Sequence, residues 1–448
     1  MTHFETLLGE MRDRGDACAL EIDGTTVSYE GLSRRVDDVL DTLAETVPEG
    51  AVAVSLNEFS LDGIATMLGL ALLKTIVVPV STAGEVQLDQ VVTTSRAQFI
   101  VRADGGIERT GRDGEHDLYA ALRRRSRPGL VLFSSGSTGA PKGAVHDFDK
   151  WLSNTPRRAL NETIVAFLLY DHGGGVNTLL RSVSGGGTLV LPGQRSPQAV
   201  ARAIEQHGAT VLPTSPSFLA LLLASGEADA HDLSSLRVIT YGTEVMPQAL
   251  LERVHRSLPE ARLKQTYGLS EVGVMSTQSE SDSSTWLRLG GDGFDVRVVD
   301  GMLEVKSESA MLGYLNAPSP FTSDGWFQTF DEVEVRDDLF RILGRRSEMI
   351  NVGGLKVFPQ EVESALLALP FINDCVVYGT PNPLAGQSVA ADVVISRDFP
   401  DRNNAVEIRS AIRSHLRGTL EAYKIPSRLT IADADLSTAR FKKTRTAR

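Results

Sequence analysis

Cysteine is nearly missing from this sequence: Cys18 and Cys375 are the only two among 448 residues. That leaves no disulfide framework and no cysteine-rich zinc site. Aromatic residues make up only 6%. Long apolar runs are lacking too: the most apolar stretch, residues 64–80, is interrupted by Lys74 and falls short of a membrane span. Positive charge is in deficit, with 45 Lys and Arg against 57 Asp and Glu and a net charge of -12. Such a balance argues against a nucleic-acid-binding surface. The opening MTHFETLLGEMRDRGD mixes acids into its first turns and lacks the apolar core of a secretion signal. The expectation is a cytoplasmic enzyme with neither nucleic acid nor membrane as partner, long enough for two or three domains.

Residues 29–46 place Leu32, Val36, Val39, Leu40 and Leu43 at helical spacing. Residues 51–56 alternate as a strand, 60–74 read as a helix, and 76–80 as a buried strand. The same rhythm returns from 165 to 241, so parallel sheets with crossover helices are expected. After about residue 290 the text changes to short strands, DVRVVD and MLEVKS, separated by turn residues. A β-rich subdomain is expected there, and a small α/β unit after a break near Gly344-Arg345. The domains expected are 1–344 and 345–448.

The densest chemical signal is the string from Ser134 to Gly143, SSGSTGAPKG, preceded by the apolar run Leu130-Val131-Leu132-Phe133. Gly136 and Gly139 permit backbone conformations that a side chain forbids. Ser134, Ser135, Ser137 and Thr138 supply hydroxyls, exposed amides can form an anion-holding nest, and Lys142 adds positive charge. The loop suits a polyphosphate. It is not the kinase or GTPase P-loop, because Lys142 is followed by Gly143 and not by a hydroxyl residue entering a helix.

The string resembles the phosphate loop of the adenylate-forming superfamily: acyl-CoA synthetases, peptide-synthetase adenylation domains and luciferases. Four further strings support the resemblance in the same order along the chain. They are Tyr241-Gly242-Thr243-Glu244, Gln265-Thr266-Tyr267-Gly268-Leu269-Ser270-Glu271, Asp324-Gly325-Trp326-Phe327-Gln328-Thr329-Phe330-Asp331, and Gly344 to Gly354 running on to Glu363. The terminus, Thr438-Ala439-Arg440-Phe441-Lys442-Lys443-Thr444-Arg445, closes the series.

The resemblance implies a large N-terminal domain of parallel α/β sheets with a β-rich subdomain, and a small mobile C-terminal α+β lid. It implies ATP-dependent activation of a carboxylic acid to an acyl-adenylate with release of pyrophosphate, then acyl transfer to coenzyme A. Ser134, Ser135, Gly136, Ser137, Thr138, Gly139 and Lys142 would hold phosphates, with Thr138 and Glu271 on Mg²⁺. Gly242, Thr243, Glu244, Gln265, Thr266, Tyr267 and Ser270 would line the nucleotide, Tyr267 stacking on adenine. Asp331, with Arg345, would take the ribose hydroxyls. His172, Gly173, Gly175, Ser217 and Gly268 would border the acyl substrate, with His172 in a His-x-x-Gly string. The place where amino-acid-activating relatives keep an acid is Gly173, so a plain carboxylic acid is expected. Ser347 falls at the hinge, Gly353 and Gly354 on the loop facing coenzyme A, and Lys442 on the catalytic lysine. Lys443 is expected to keep its ammonium in water.

Two alternatives stay open. One is the same adenylation with transfer to an acyl carrier protein or an amine. The other is a nucleotide-binding pseudoenzyme, in which Phe330, Ser347 and Phe441 depart from the family text. Retention of Lys142, Glu271, Asp331, Arg345 and Lys442 speaks against the second.

Overall fold

The computed structural model describes residues 2–82, 87–134, 141–155, 161–291, 293–396, 399–400, 404–432, 436, 443 and 445. Its chain forms two compact units. One comprises Met1–Pro213, Gly268–Val274 and Lys306–Phe327; the other comprises Thr214–Tyr267, Met275–Val305 and Gln328–Arg448.

In the first unit the expected helix runs over Tyr29–Ala44 and buries Tyr29, Leu32, Val36 and Leu43 along one stripe. Ser28 caps it by accepting from the Gly31 amide at 3.1 Å. Strands Val52–Leu56 and Ile76–Val80 are buried at every position. They pair in parallel, as continuous apolar strands covered on both faces do. Gly129–Ser134 joins Ile76–Val80 in parallel, Phe99–Arg102 joins Val52–Leu56, and antiparallel strands close both edges. A second sheet runs parallel through Cys18–Ile22, Thr188–Leu191, Thr163–Val165 and Val211–Thr214. The parallel α/β expectation holds.

The second unit holds the parallel pair Val238–Tyr241 and Arg262–Gln265. It also has an antiparallel sheet in which Phe327–Arg336 and Leu339–Arg345 form the central hairpin. The expected strands DVRVVD and MLEVKS appear there as Phe294–Val299 and Met302–Ser307. Its last part is a five-stranded sheet built on the hairpin Ile372–Asn382 with Gly386–Ile395, against which the helix Pro359–Leu367 lies. Among the described residues, no helix is long and apolar enough to cross a membrane.

Candidate active site

Ser134 ends the strand Gly129–Ser134, and Lys142 opens Lys142–Asp147, which returns antiparallel with Lys142 opposite Ser134. The glycine-rich string therefore joins two strands, where a P-loop leads into a helix. Ser135, Gly136, Ser137, Thr138 and Gly139 lie outside the described residues.

The short strand Gly313–Tyr314 pairs with Lys142–Asp147 and brings Tyr314 opposite Ala144. The Lys142 ammonium lies 5.5 Å from the centre of the Tyr314 ring, a cation–π distance. The Tyr314 hydroxyl donates to Glu271 Oε1 at 2.6 Å, and the Met311 amide donates to the Glu271 carbonyl at 2.7 Å. Asn316 grips the loop end from both sides, accepting from the Gly143 amide at 3.1 Å and donating to the Pro141 carbonyl at 2.9 Å. One tyrosine thus couples the phosphate-loop cation to the expected metal carboxylate. A single half-buried carboxylate fits Mg²⁺, which takes hard oxygen ligands, few of them from protein, with phosphates and waters completing the shell.

His172 caps the helix Gly173–Gly185, its Nδ1 accepting from the Gly174 amide at 3.2 Å. In the neutral ring this places the proton on Nε2. Asp171, immediately before it, accepts from the Ser81 hydroxyl at 2.9 Å and amide at 3.2 Å. Ser81 thus engages one oxygen of this carboxylate. Gly175 is fixed by space: a Cβ there would stand 1.9 Å from the Leu169 carbonyl oxygen. At Gly268 a Cβ would meet the Gly273 carbonyl at 2.8 Å, while Gly173 has ordinary contact room. Ser270 is half-buried. His146, on the Lys142 strand, packs edge-on to Trp151 at 4.8 Å. Burial pushes its pKa down to about 4 against weak support from the backbone at Ser270 and Ser309.

In the second unit, Tyr241 and Gln265 are register partners, and the Thr266 amide donates to the Tyr241 carbonyl at 2.7 Å. A side chain at Gly242 would stand 2.5 Å from Thr266 Oγ1. Thr243 follows with φ of 69°. Glu244 then turns to Ser217, accepting from its hydroxyl at 2.6 Å and its amide at 3.3 Å. Two residues expected at nucleotide and acyl substrate are hydrogen-bonded to each other.

Tyr267, Asp331 and Arg345 lie together. The Tyr267 hydroxyl donates to Asp331 Oδ2 at 2.6 Å, and Arg345 Nε lies 3.4 Å from Oδ1. Asp331 and Arg345 are register partners across their hairpin. Burial raises the Asp331 pKa, partly offset by Arg345 and the Tyr267 hydroxyl. Phe330, where relatives keep glycine, adopts the glycine-like φ of 60° and leaves its ring 51% exposed. The turn survives the replacement, at a strain of about 1–2 kcal/mol, and Asp331 stays in register.

Ser347 is exposed in a short 3-10 turn, Arg346–Glu348, after the Gly344 bend. Gly353 and Gly354 form the two-residue turn between Ile350–Val352 and Leu355–Val357, with φ of 62° and 91°. Positive φ at both positions is the signature of a tight hairpin turn and explains the glycine pair locally.

Lys442 lies outside the described residues. Lys443 corrects an expectation: its ammonium is buried, 3.3 Å from Glu363 Oε2 and 3.5 Å from Asp374 Oδ1. Its amide donates to Glu244 Oε1 at 2.8 Å. A run of cations reads as a solvated tail when its partners lie far back in sequence, as Glu363 and Glu244 do.

The sequence by itself assigns no role to Tyr314, Asn316 or Glu363. The signal for the first two is the tetrapeptide Gly313-Tyr314-Leu315-Asn316, which carries no charge and becomes legible only through its strand pairing.

The profile of AMP-binding enzymes matches residues 10–315, and that of the AMP-binding enzyme C-terminal domain matches residues 361–447. An indoleacetate–CoA ligase of Aromatoleum aromaticum is 30% identical over 333 residues, covering 68% of this chain and 64% of that protein. The chain thus matches less than two thirds of that relative's length. A feruloyl-CoA synthase of Amycolatopsis is 27% identical over 464 residues, covering 93% of this chain and 92% of that protein. In fold, the chain is similar to an anthranilate CoA ligase crystallised with anthranoyl-AMP, with a TM-score of 0.82, 21% identity, and coverage of 99% and 95%. The first profile alone spans more than half of the sequence, and the chain belongs to the AMP-binding enzyme family.

Proposed function

We propose that this chain joins a carboxylic acid to ATP, forming an acyl-adenylate and pyrophosphate, and then passes the acyl group to coenzyme A. The observation that carries the reading is the coupling of Lys142 to Glu271 through Tyr314. A cation and a metal-type carboxylate on one tyrosine are what a metal polyphosphate requires. In the first step a carboxylate oxygen bonds to the α-phosphorus and the bond to the bridging β-phosphate oxygen breaks. In the second, the thiolate attacks the acyl carbon and AMP leaves.

Lys142 would hold the β- and γ-phosphates, and Glu271, with Thr138, would hold Mg²⁺. The ion would offset the charge of two anionic reactants. Asp331, which accepts from the Tyr267 hydroxyl, would accept the ribose hydroxyls. His172, with its proton on Nε2, would face the acid, and Lys442 would bridge carboxylate and α-phosphate. Gly353 and Gly354 would admit the pantetheine arm. The lid would comprise 345–448 and turn at Ser347. A cytoplasmic location and a small-molecule acid as partner fit this reading.

Pyrophosphate–ATP exchange over a panel of acids tests the first half. The panel starts with indoleacetate and ferulate, the acids in the names of two relatives. Acid-dependent exchange requiring Mg²⁺ is expected, and no exchange with any acid would overturn the reading. Offering coenzyme A, an acyl carrier protein and an amine to the preformed adenylate then identifies the acceptor.

A further inference from the structure

Glu363 lies in the helix Pro359–Leu367 and is 1% exposed. Its Oε1 accepts from the Val377 amide at 3.0 Å. Both oxygens accept from Arg445, at 3.2 and 3.0 Å, and Oε2 meets Lys443 at 3.3 Å. Arg445 also reaches Glu348 at 3.5 Å, and Lys443 reaches Asp374. Despite its burial, Glu363 is held below the usual carboxylate range by the two cations and the Val377 amide. Its neighbours hold the Lys443 ammonium protonated well above the usual lysine range.

Ion pairs this deep contribute little net stability compared with apolar packing, but they specify register. In extended chain, residues two apart share a face and their neighbours take the other. Gripping both 443 and 445 therefore ties these two positions to one buried carboxylate. The peptide nitrogen joining residue 443 to residue 442 is itself bonded to Glu244.

We propose that Glu363 is a positioning residue for adenylation, a buried anchor that seats Lys443 and Arg445 and so sets the segment carrying Lys442. The proposal rests on the reading of Lys442 given above. It adds a residue that touches neither nucleotide nor acid, and it gives Lys443 an anchoring role in place of a solvated one.

Two measurements on the full chain test it. Limited trypsinolysis at Lys443, read by mass spectrometry, needs no substrate. Glu363→Gln should speed that cleavage roughly tenfold or more, because proteolysis tracks the open population. Pyrophosphate exchange should fall roughly 10²-fold in kcat, the cost of a small misplacement of reacting groups, with KM for ATP little changed. Thioester formation from preformed adenylate should persist, and Glu363→Asp should recover part of the exchange. The pair Lys443→Gln with Arg445→Gln, which leaves the helix untouched and removes those two trypsin sites, should reproduce the loss of exchange and speed cleavage at the neighbouring Lys442. Unchanged cleavage in Glu363→Gln would overturn the anchor. Equal loss of both half-reactions in the two variants would assign the cluster to folding alone and overturn the positioning role. Absence of exchange in the unaltered protein, with cleavage responding as expected, would instead sink the adenylation reading and leave the anchor standing.

Discussion

Asp331 and Glu363 are carboxylates buried in the same unit, at 6% and 1% exposure, and both face arginine. Their pKa values move in opposite directions. Asp331 has one arginine at 3.4 Å, itself 52% exposed, and one tyrosine hydroxyl, so desolvation wins and its pKa rises. Glu363 has two largely buried cations and a backbone amide, so its charged form is favoured and its pKa falls. Among the described residues the first has the fewer donors, in keeping with its proposed ribose role. The second is saturated by its own chain and suited to holding structure. Charge and burial alone would have ranked them alike; the count of donors separates them.

The largest expected effect comes from emptying the saturated site. Lys443→Ala should lower the urea-unfolding stability of the C-terminal part by about 3 kcal/mol, the low end for a broken buried pair, because the tail can lift and admit water. A change below about 0.5 kcal/mol, the usual size for a surface site, would erase the contrast.

At the undersaturated site, Asp331→Asn should raise KM for ATP roughly 10–100-fold, as loss of charge-assisted hydrogen bonds does. The melting temperature should not fall. The signs follow from linkage. Because the folded pKa of Asp331 is raised, its contribution is complete below its ordinary value of 3.8 and is lost as pH rises through the folded value. The contribution of Glu363 is complete above its ordinary 4.5 and is lost as pH falls through a lower folded value. A destabilised Asp331→Asn at neutral pH would reverse the assignment.

His146 sharpens the comparison with a buried base that lacks a charged partner among the causes of its shift. Its folded pKa of about 4 lies below the ordinary 6.5, so the stability present above 6.5 is lost as pH falls through about 4. His146→Phe should remove about 2 kcal/mol of that loss at pH 5, seen as a flatter acid limb in unfolding midpoints. An unchanged limb would mean the ring charges without cost.

The smallest effect is expected at the glycine turn. Gly354 faces open space at φ of 91°, so Gly354→Ala meets backbone strain and no clash. A loss of about 1 kcal/mol is expected, readable as a small drop in melting temperature. A gain would mean that the turn relaxes.

Motifs whose chemistry is local in sequence were legible before the structure. The parallel strands around Gly129–Ser134 stand where the spacing puts them, and Tyr267, Asp331 and Arg345, each marked by its own string, lie together. What escaped was pairing at a distance. The string around Glu363 does not point to Lys443 and Arg445, 80 and 82 residues later. The local string at Ser217 does not show that Glu244 takes its hydroxyl. Phe330 reads as a distortion, because a residue code does not reveal that the backbone will hold a left-handed angle for a side chain.

The strand Gly313–Tyr314 also bears on how the protein is made. It covers the outer edge of Lys142–Asp147 and supplies the hydroxyl that holds Glu271. On a ribosome adding about 5–20 residues per second, Tyr314 follows Lys142 by about 170 residues, or roughly 10–30 s. During that interval the nascent chain presents a bare strand edge beside its most chemically loaded loop. The edge begins with Lys142 and ends with Asp147, charges of the kind that discourage a neighbouring chain from adding itself as a strand.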